Sequence, residues 1–140
     1  MSFEFVQKLP TPAEIKDMFP LPARLAAIKA ERDQEIQTIF TGESDKFLVI
    51  IGPCSADNED AVLDYTTRLA KVQEKVADRL LLIPRVYTNK PRTNGLGYKG
   101  MLHQPDPEKQ PSVSEGLHAI RHLHMKVLDE TGFSTADEML

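Results

Sequence analysis

Two short apolar runs, Phe47–Ile51 and Leu80–Ile83, contain no polar residue, whereas most other apolar residues recur at spacings of three and four. Unbroken runs of this length predict strands buried on both faces. The second run is expected to continue through Val86. Between them, Ala61, Tyr65, Leu69, Val72 and Val76 predict the buried stripe of a helix, and Asp57, Asn58 and Asp60 supply its cap and first-turn acids. Upstream, Ala13–Met18 predicts a short helix. A longer one is expected to open near Pro22, where a missing N–H costs nothing, and to reach about Phe40 with Leu25, Ile28, Ile36 and Ile39 on one face. Downstream, Ser112-Val113-Ser114-Glu115 has the pattern of a capping box. Its helix carries the stripe Leu117, Ile120, Leu123 and Val127, and Gly132 is placed to end it. A third strand is expected to start at Phe133.

The order strand, helix, strand, helix, strand predicts a parallel α/β architecture. One connection is longer than packing requires. Residues 88–111 form a loop rich in Gly, Pro, Asn and Lys, and loops of that length inside a compact domain are commonly functional.

Composition narrows the class. In 140 residues, 41% are apolar and 27% charged, as in a globular domain, and the net charge of −4 gives no reason to expect a nucleic-acid partner. No apolar run approaches the ~20 residues that span a bilayer, so no membrane partner is expected. The first residues lack the basic start and apolar stretch of a signal peptide. A single cysteine can form no internal disulfide, and a reducing, cytoplasmic location is expected.

Within this acidic chain, Arg85, Lys90, Arg92 and Lys99 fall in fifteen residues that contain no acid. Guanidinium forks and ammonium groups match phosphate and carboxylate oxygens, and Pro91 stiffens the backbone between Lys90 and Arg92. The competing reading is a solvated basic loop. Cys54 follows the first strand directly. A thiol there serves as metal ligand or nucleophile, or else packs as a small hydrophobe. Glu138, beside Asp137, is either a substrate-orienting carboxylate or a surface acid. His118 and His122 are four apart, the spacing that lets two imidazoles share a metal, but no Glu lies between them in the zincin pattern. Cys54, Arg85 and Glu138 share one property: each falls at or just past the C-terminal end of an expected parallel strand, with Lys90 and Arg92 on the loop after one of them. Active sites of parallel α/β folds are built at that end.

The segments Leu48-Val49-Ile50-Ile51-Gly52-Pro53-Cys54-Ser55, Arg85-Val86-Tyr87 and Lys90-Pro91-Arg92-Thr93 resemble the signatures of class I 3-deoxy-7-phosphoheptulonate synthases, and Tyr98-Lys99-Gly100 and Glu138 continue the match. The resemblance covers about residues 10–140. It implies the N-terminal part of a TIM (β/α)8 barrel, with residues 1–45 as a helical extension and residues 46–140 as the first barrel units. It further implies condensation of phosphoenolpyruvate with erythrose 4-phosphate, a divalent metal ion and a homo-oligomer. By resemblance Cys54 is a metal ligand, and Arg85 and Lys90 hold phosphoenolpyruvate with Lys90 beside the reacting centre. Arg92 and Thr93 bind the phosphate end of erythrose 4-phosphate, and Glu138 positions substrate or water.

Two local features depart from the family pattern. Pro84 precedes Arg85 and is expected to break strand pairing there. Asn94 stands where a second threonine is usual, in a loop that looks longer than usual. A complete barrel needs at least ~200 residues. The chain is therefore expected to stop after the third strand's start and to be inactive alone, the alternative being a non-catalytic phosphate-binding or oligomerising module.

Overall fold

A computed structural model describes residues 7–90, 92 and 96–138. Helix α1 (Pro12–Met18) and helix α2 (Ala23–Phe40) lead into strand β1 (Phe47–Ile51), helix α3 (Glu59–Val76), strand β2 (Leu80–Pro84) and helix α4 (Val113–Thr131). The two strands pair in parallel, Phe47 opposite Leu80 through Ile51 opposite Pro84. Among the described residues, no helix is long and apolar enough to cross a membrane.

Local chemistry explains most boundaries. Thr11 and Glu14 form a complete capping box, opening α1 with Pro at its first turn. Ser112 accepts from the Glu115 amide at 3.3 Å, but its own amide donates to the His103 carbonyl. The expected box at α4 is therefore a one-sided cap. Pro22 lies one residue outside α2, as its N-cap. Asn58 caps α3 by accepting from the Ala61 amide at 2.9 Å, and Gly132 closes α4 at a φ of 70°.

Three expectations need correction. First, β1 is not buried on both faces: Phe47, Ile50 and Ile51 are exposed, whereas Leu81, Leu82, Ile83 and Pro84 of β2 are buried. Second, α3 keeps only part of its predicted stripe: Tyr65, Leu69 and Val76 are half-buried, and Leu69 and Val76 pack against the core. Ala61 and Val72 face solvent, and Val62, Leu63 and Thr66 turn inward. The Thr66 hydroxyl is satisfied within the helix by the Val62 and Leu63 carbonyls, which lets a polar residue occupy a buried position. Third, the expected strand from Phe133 is reduced among the described residues to one parallel bridge, Arg85 with Ala136.

Pro84 accounts for that reduction. Odd-numbered residues of β2 face β1, so the Arg85 amide still donates to the Ile51 carbonyl at 2.9 Å. Pro84 points the other way. Its carbonyl accepts from Ala136 and the Val86 amide donates to Ala136, but the N–H that would extend this ladder toward Ser134 does not exist. Pairing therefore fails on that side alone. Below it, the Gln73 side chain of α3 substitutes for a strand, donating to the Leu80 carbonyl at 2.9 Å and accepting from the Leu82 amide at 2.6 Å.

The core lies where α3 and α4 cover β2, with Val62, Leu63, Leu82, Val86, Leu123, Val127 and Phe133 in one cluster. The N-terminal helices lean on α4. Arg24 pairs with Asp129, and Arg121 donates to the Phe19 carbonyl.

Candidate functional site

The site is assembled at the C-terminal ends of the two strands. Gly52 ends β1 against the Arg85 backbone, where a Cβ would sit 2.0 Å from the Arg85 carbonyl oxygen. Only glycine lets the chains approach so closely. Past it, the Ala56 amide donates to the Tyr87 carbonyl at 2.9 Å, tying the two strand exits together. The basic loop is fastened in the same way. Lys90 donates its amide to the Lys99 carbonyl, Leu102 donates to the Thr88 carbonyl, and Gly100 at φ 93° passes 2.3 Å from that same oxygen, measured from its ideal Cβ.

This frame brings Cys54 and Lys90 together. The Lys90 ammonium donates to the Cys54 Sγ at 2.7 Å and to the Cys54 carbonyl at 2.6 Å. That hydrogen bond and the Lys90 charge, aided by Arg85 and Arg92, hold the thiol below its ordinary pKa. Cys54 is exposed, which sets aside the buried-hydrophobe alternative. Arg85 donates through Nη1 to Glu138 Oε1 at 2.6 Å and through Nη2 to the Pro53 carbonyl at 3.0 Å. The Tyr87 ring lies beneath both cations, 5.1 Å from the Arg85 guanidinium carbon and 5.5 Å from Lys90 Nζ.

Arg92 is less integrated. It is exposed and donates to the Tyr98 carbonyl at 2.8 Å. Thr93, like Pro91, Asn94 and Gly95, lies outside the described residues. The Tyr98 hydroxyl is buried without a hydrogen-bond partner among the described residues, and burial together with the nearby Asp57 carboxylate raises its pKa.

The histidines do not form a metal centre. His118 tilts against Phe19 with a centroid separation of 5.5 Å, while His122 faces Glu59 at 3.8 Å. Among the described residues no set of three or more His, Cys, Asp and Glu is arranged to hold a metal. Cys54 is thus a single exposed sulfur donor whose pKa is lowered, chemistry that fits one ligand of a divalent ion but does not complete a site.

Asp137 escaped sequence reasoning, in which it served only as the neighbour of Glu138. It accepts from the Thr88 amide at 3.0 Å, from the Thr88 hydroxyl and from the Glu138 amide at 2.8 Å, and His124 Nε2 lies 3.4 Å away. Burial pushes its pKa up, but hydrogen bonds from His124, Thr88 and Glu138 outweigh this and hold it below the usual value. No spacing signal could have found it, because His124 and Thr88 lie 13 and 49 positions away.

The sequence profile described as the DAHP synthetase I family matches residues 13–140. The chain belongs to that family. It is 36% identical over 135 residues to a Trp-sensitive phospho-2-dehydro-3-deoxyheptonate aldolase of Escherichia coli (strain K12), covering 96% of this chain and 38% of the relative. A phenylalanine-inhibited relative of Saccharomyces cerevisiae is 33% identical, covering 94% of this chain and 35% of its own length. The solved phospho-2-dehydro-3-deoxyheptonate aldolase of Francisella tularensis SCHU S4 superposes with a TM-score of 0.86 at 29% identity, over 99% of this chain and 40% of its own. The chain thus spans about two-fifths of the length of the relatives it matches.

Proposed function

We propose that these residues form the first units of a (β/α)8 barrel that condenses phosphoenolpyruvate with erythrose 4-phosphate. The products are 3-deoxy-D-arabino-heptulosonate 7-phosphate and inorganic phosphate, and one water is consumed. The observation that carries this proposal is the convergence of Cys54, Lys90 and Arg85 at the C-terminal ends of paired parallel strands, within the segment that matches the family.

The chemistry suits the residues. Both substrates are anionic, so the site must offer cations held in place before the substrates arrive. Arg85 and Lys90 take the phosphate and carboxylate of phosphoenolpyruvate, their directions set by Glu138, the Pro53 carbonyl and the Tyr87 face. Lys90 lies beside the carbon that is attacked. Arg92 and Thr93 hold the phosphate end of erythrose 4-phosphate. The enol carbon adds to the aldehyde, water adds to the neighbouring carbon, and phosphate leaves. Glu138 positions that water or the substrate. Cys54 contributes one thiolate ligand to a divalent ion, which supplies Lewis-acid polarisation of the aldehyde. The protein works as a homo-oligomer in the cytoplasm. The exposed apolar residues Phe40, Phe47 and Ile50 favour association with further protein surface.

The test is phosphate release by the full-length reading frame containing this segment. Release should require both substrates and a divalent metal. A metal-replete protein that releases no phosphate would overturn the proposal.

A further inference from the structure

We propose that Asp137 is a positioning residue that fixes the Arg85–Glu138 pair, an inference resting on the functional reading above. The segment from Thr135 to Glu138 is gripped from two sides. Toward β2, Ala136 exchanges hydrogen bonds with Pro84 and Val86, and Asp137 receives both the amide and the hydroxyl of the fully buried Thr88. Toward α4, His124 spans the same segment, with Nδ1 at 2.6 Å from the Thr135 hydroxyl and Nε2 at 3.4 Å from Asp137 Oδ2. Asp137 Oδ1 then accepts the amide of Glu138, which sets the direction in which the next side chain leaves.

That direction matters because the Glu138 carboxylate is the partner of Arg85. The Glu138 side chain is 39% exposed, and its carboxylate accepts from Arg85 Nη1 at 2.6 Å, so it determines where one edge of the guanidinium points. A guanidinium that grips a substrate anion through two donors loses that grip when rotated, so errors well under an ångström matter. Asp137 touches no reacting atom in this arrangement. It acts through Glu138 on Arg85.

The experiment is Asp137→Asn in the full-length protein, titrated calorimetrically with phosphoenolpyruvate and with erythrose 4-phosphate. Asparagine keeps Oδ1 as acceptor for the two amides but replaces Oδ2, the acceptor facing the Thr88 hydroxyl and His124. Phosphoenolpyruvate affinity should fall about tenfold or more, while erythrose 4-phosphate affinity stays within about twofold. Equal weakening of both substrates, or a lowered melting temperature with unchanged phosphoenolpyruvate affinity, would overturn the proposal. If Asp137→Asn does not fold, Thr88→Val removes one arm of the same network and is read in the same way. Should the wild type bind neither substrate, the functional reading fails and the network is judged separately by the Arg85 Nε–H resonance, assigned with Arg85→Lys. A resonance that Asp137→Asn shifts supports positioning, and one it leaves unmoved refutes it.

Discussion

Strands β1 and β2 pair residue for residue and are both wholly apolar, yet Leu81, Leu82 and Ile83 are buried while Phe47, Ile50 and Ile51 are 70, 55 and 44% exposed. The difference lies in what covers them. Helices α3 and α4 pack around β2, and the Gln73 amide and the Ala136 bridge occupy the polar groups of its outer edge. Strand β1 has β2 on one side and only partial cover elsewhere among the described residues. An apolar run creates a demand for burial, and neighbouring elements decide whether it is met.

The largest test of this contrast compares Leu82→Ala with Ile50→Ala by chemical denaturation. Leu82 is a buried member of the core cluster, so its truncation should cost about 2–5 kcal/mol. Ile50, more than half exposed, should cost less than about 1 kcal/mol. Equal losses would mean that β1 is covered in solution. A second variant sharpens the edge argument. Gln73→Leu removes the donor and the acceptor that close β2 and leaves the Leu80 carbonyl and Leu82 amide without partners, at a cost of about 1–3 kcal/mol. A change below about 0.5 kcal/mol would show that water replaces the side chain freely. The smallest effect on stability, within about 0.5 kcal/mol, is expected from Ile50→Lys. Its readout is size. The wild-type chain should associate in a concentration-dependent way through its apolar strand face, and the added charge should shift it toward monomer by size-exclusion chromatography with light scattering. A wild type that stays monomeric at high concentration would show that β1 attracts no partner.

The candidate site divides in the same way. Cys54, Lys90 and Arg85 were legible because they sit in short motifs next to apolar runs; Gly52 marked the end of β1, whereas β2, expected to continue through Val86, stops at Pro84. Asp137 and Thr88 were not, because their pairing depends on the chain returning to β2 after α4, a contact with no local trace. The inward positions of α3 outside the predicted stripe were hidden for a related reason. Thr66 and Gln73 read as polar surface but are satisfied inward, one by its own helix and the other by a strand edge.

The sequence by itself determined the alternation of helices with the two paired strands, the caps at Asn58 and Gly132, and the cluster of cations on the long loop, since each depends on residues within a few positions of one another. Tertiary structure alone decided which strand is buried, which face of α3 turns inward and which carboxylate holds Arg85. Those outcomes are set by groups brought together across tens of residues, where desolvation and hydrogen-bond partners are fixed only once the helices have docked.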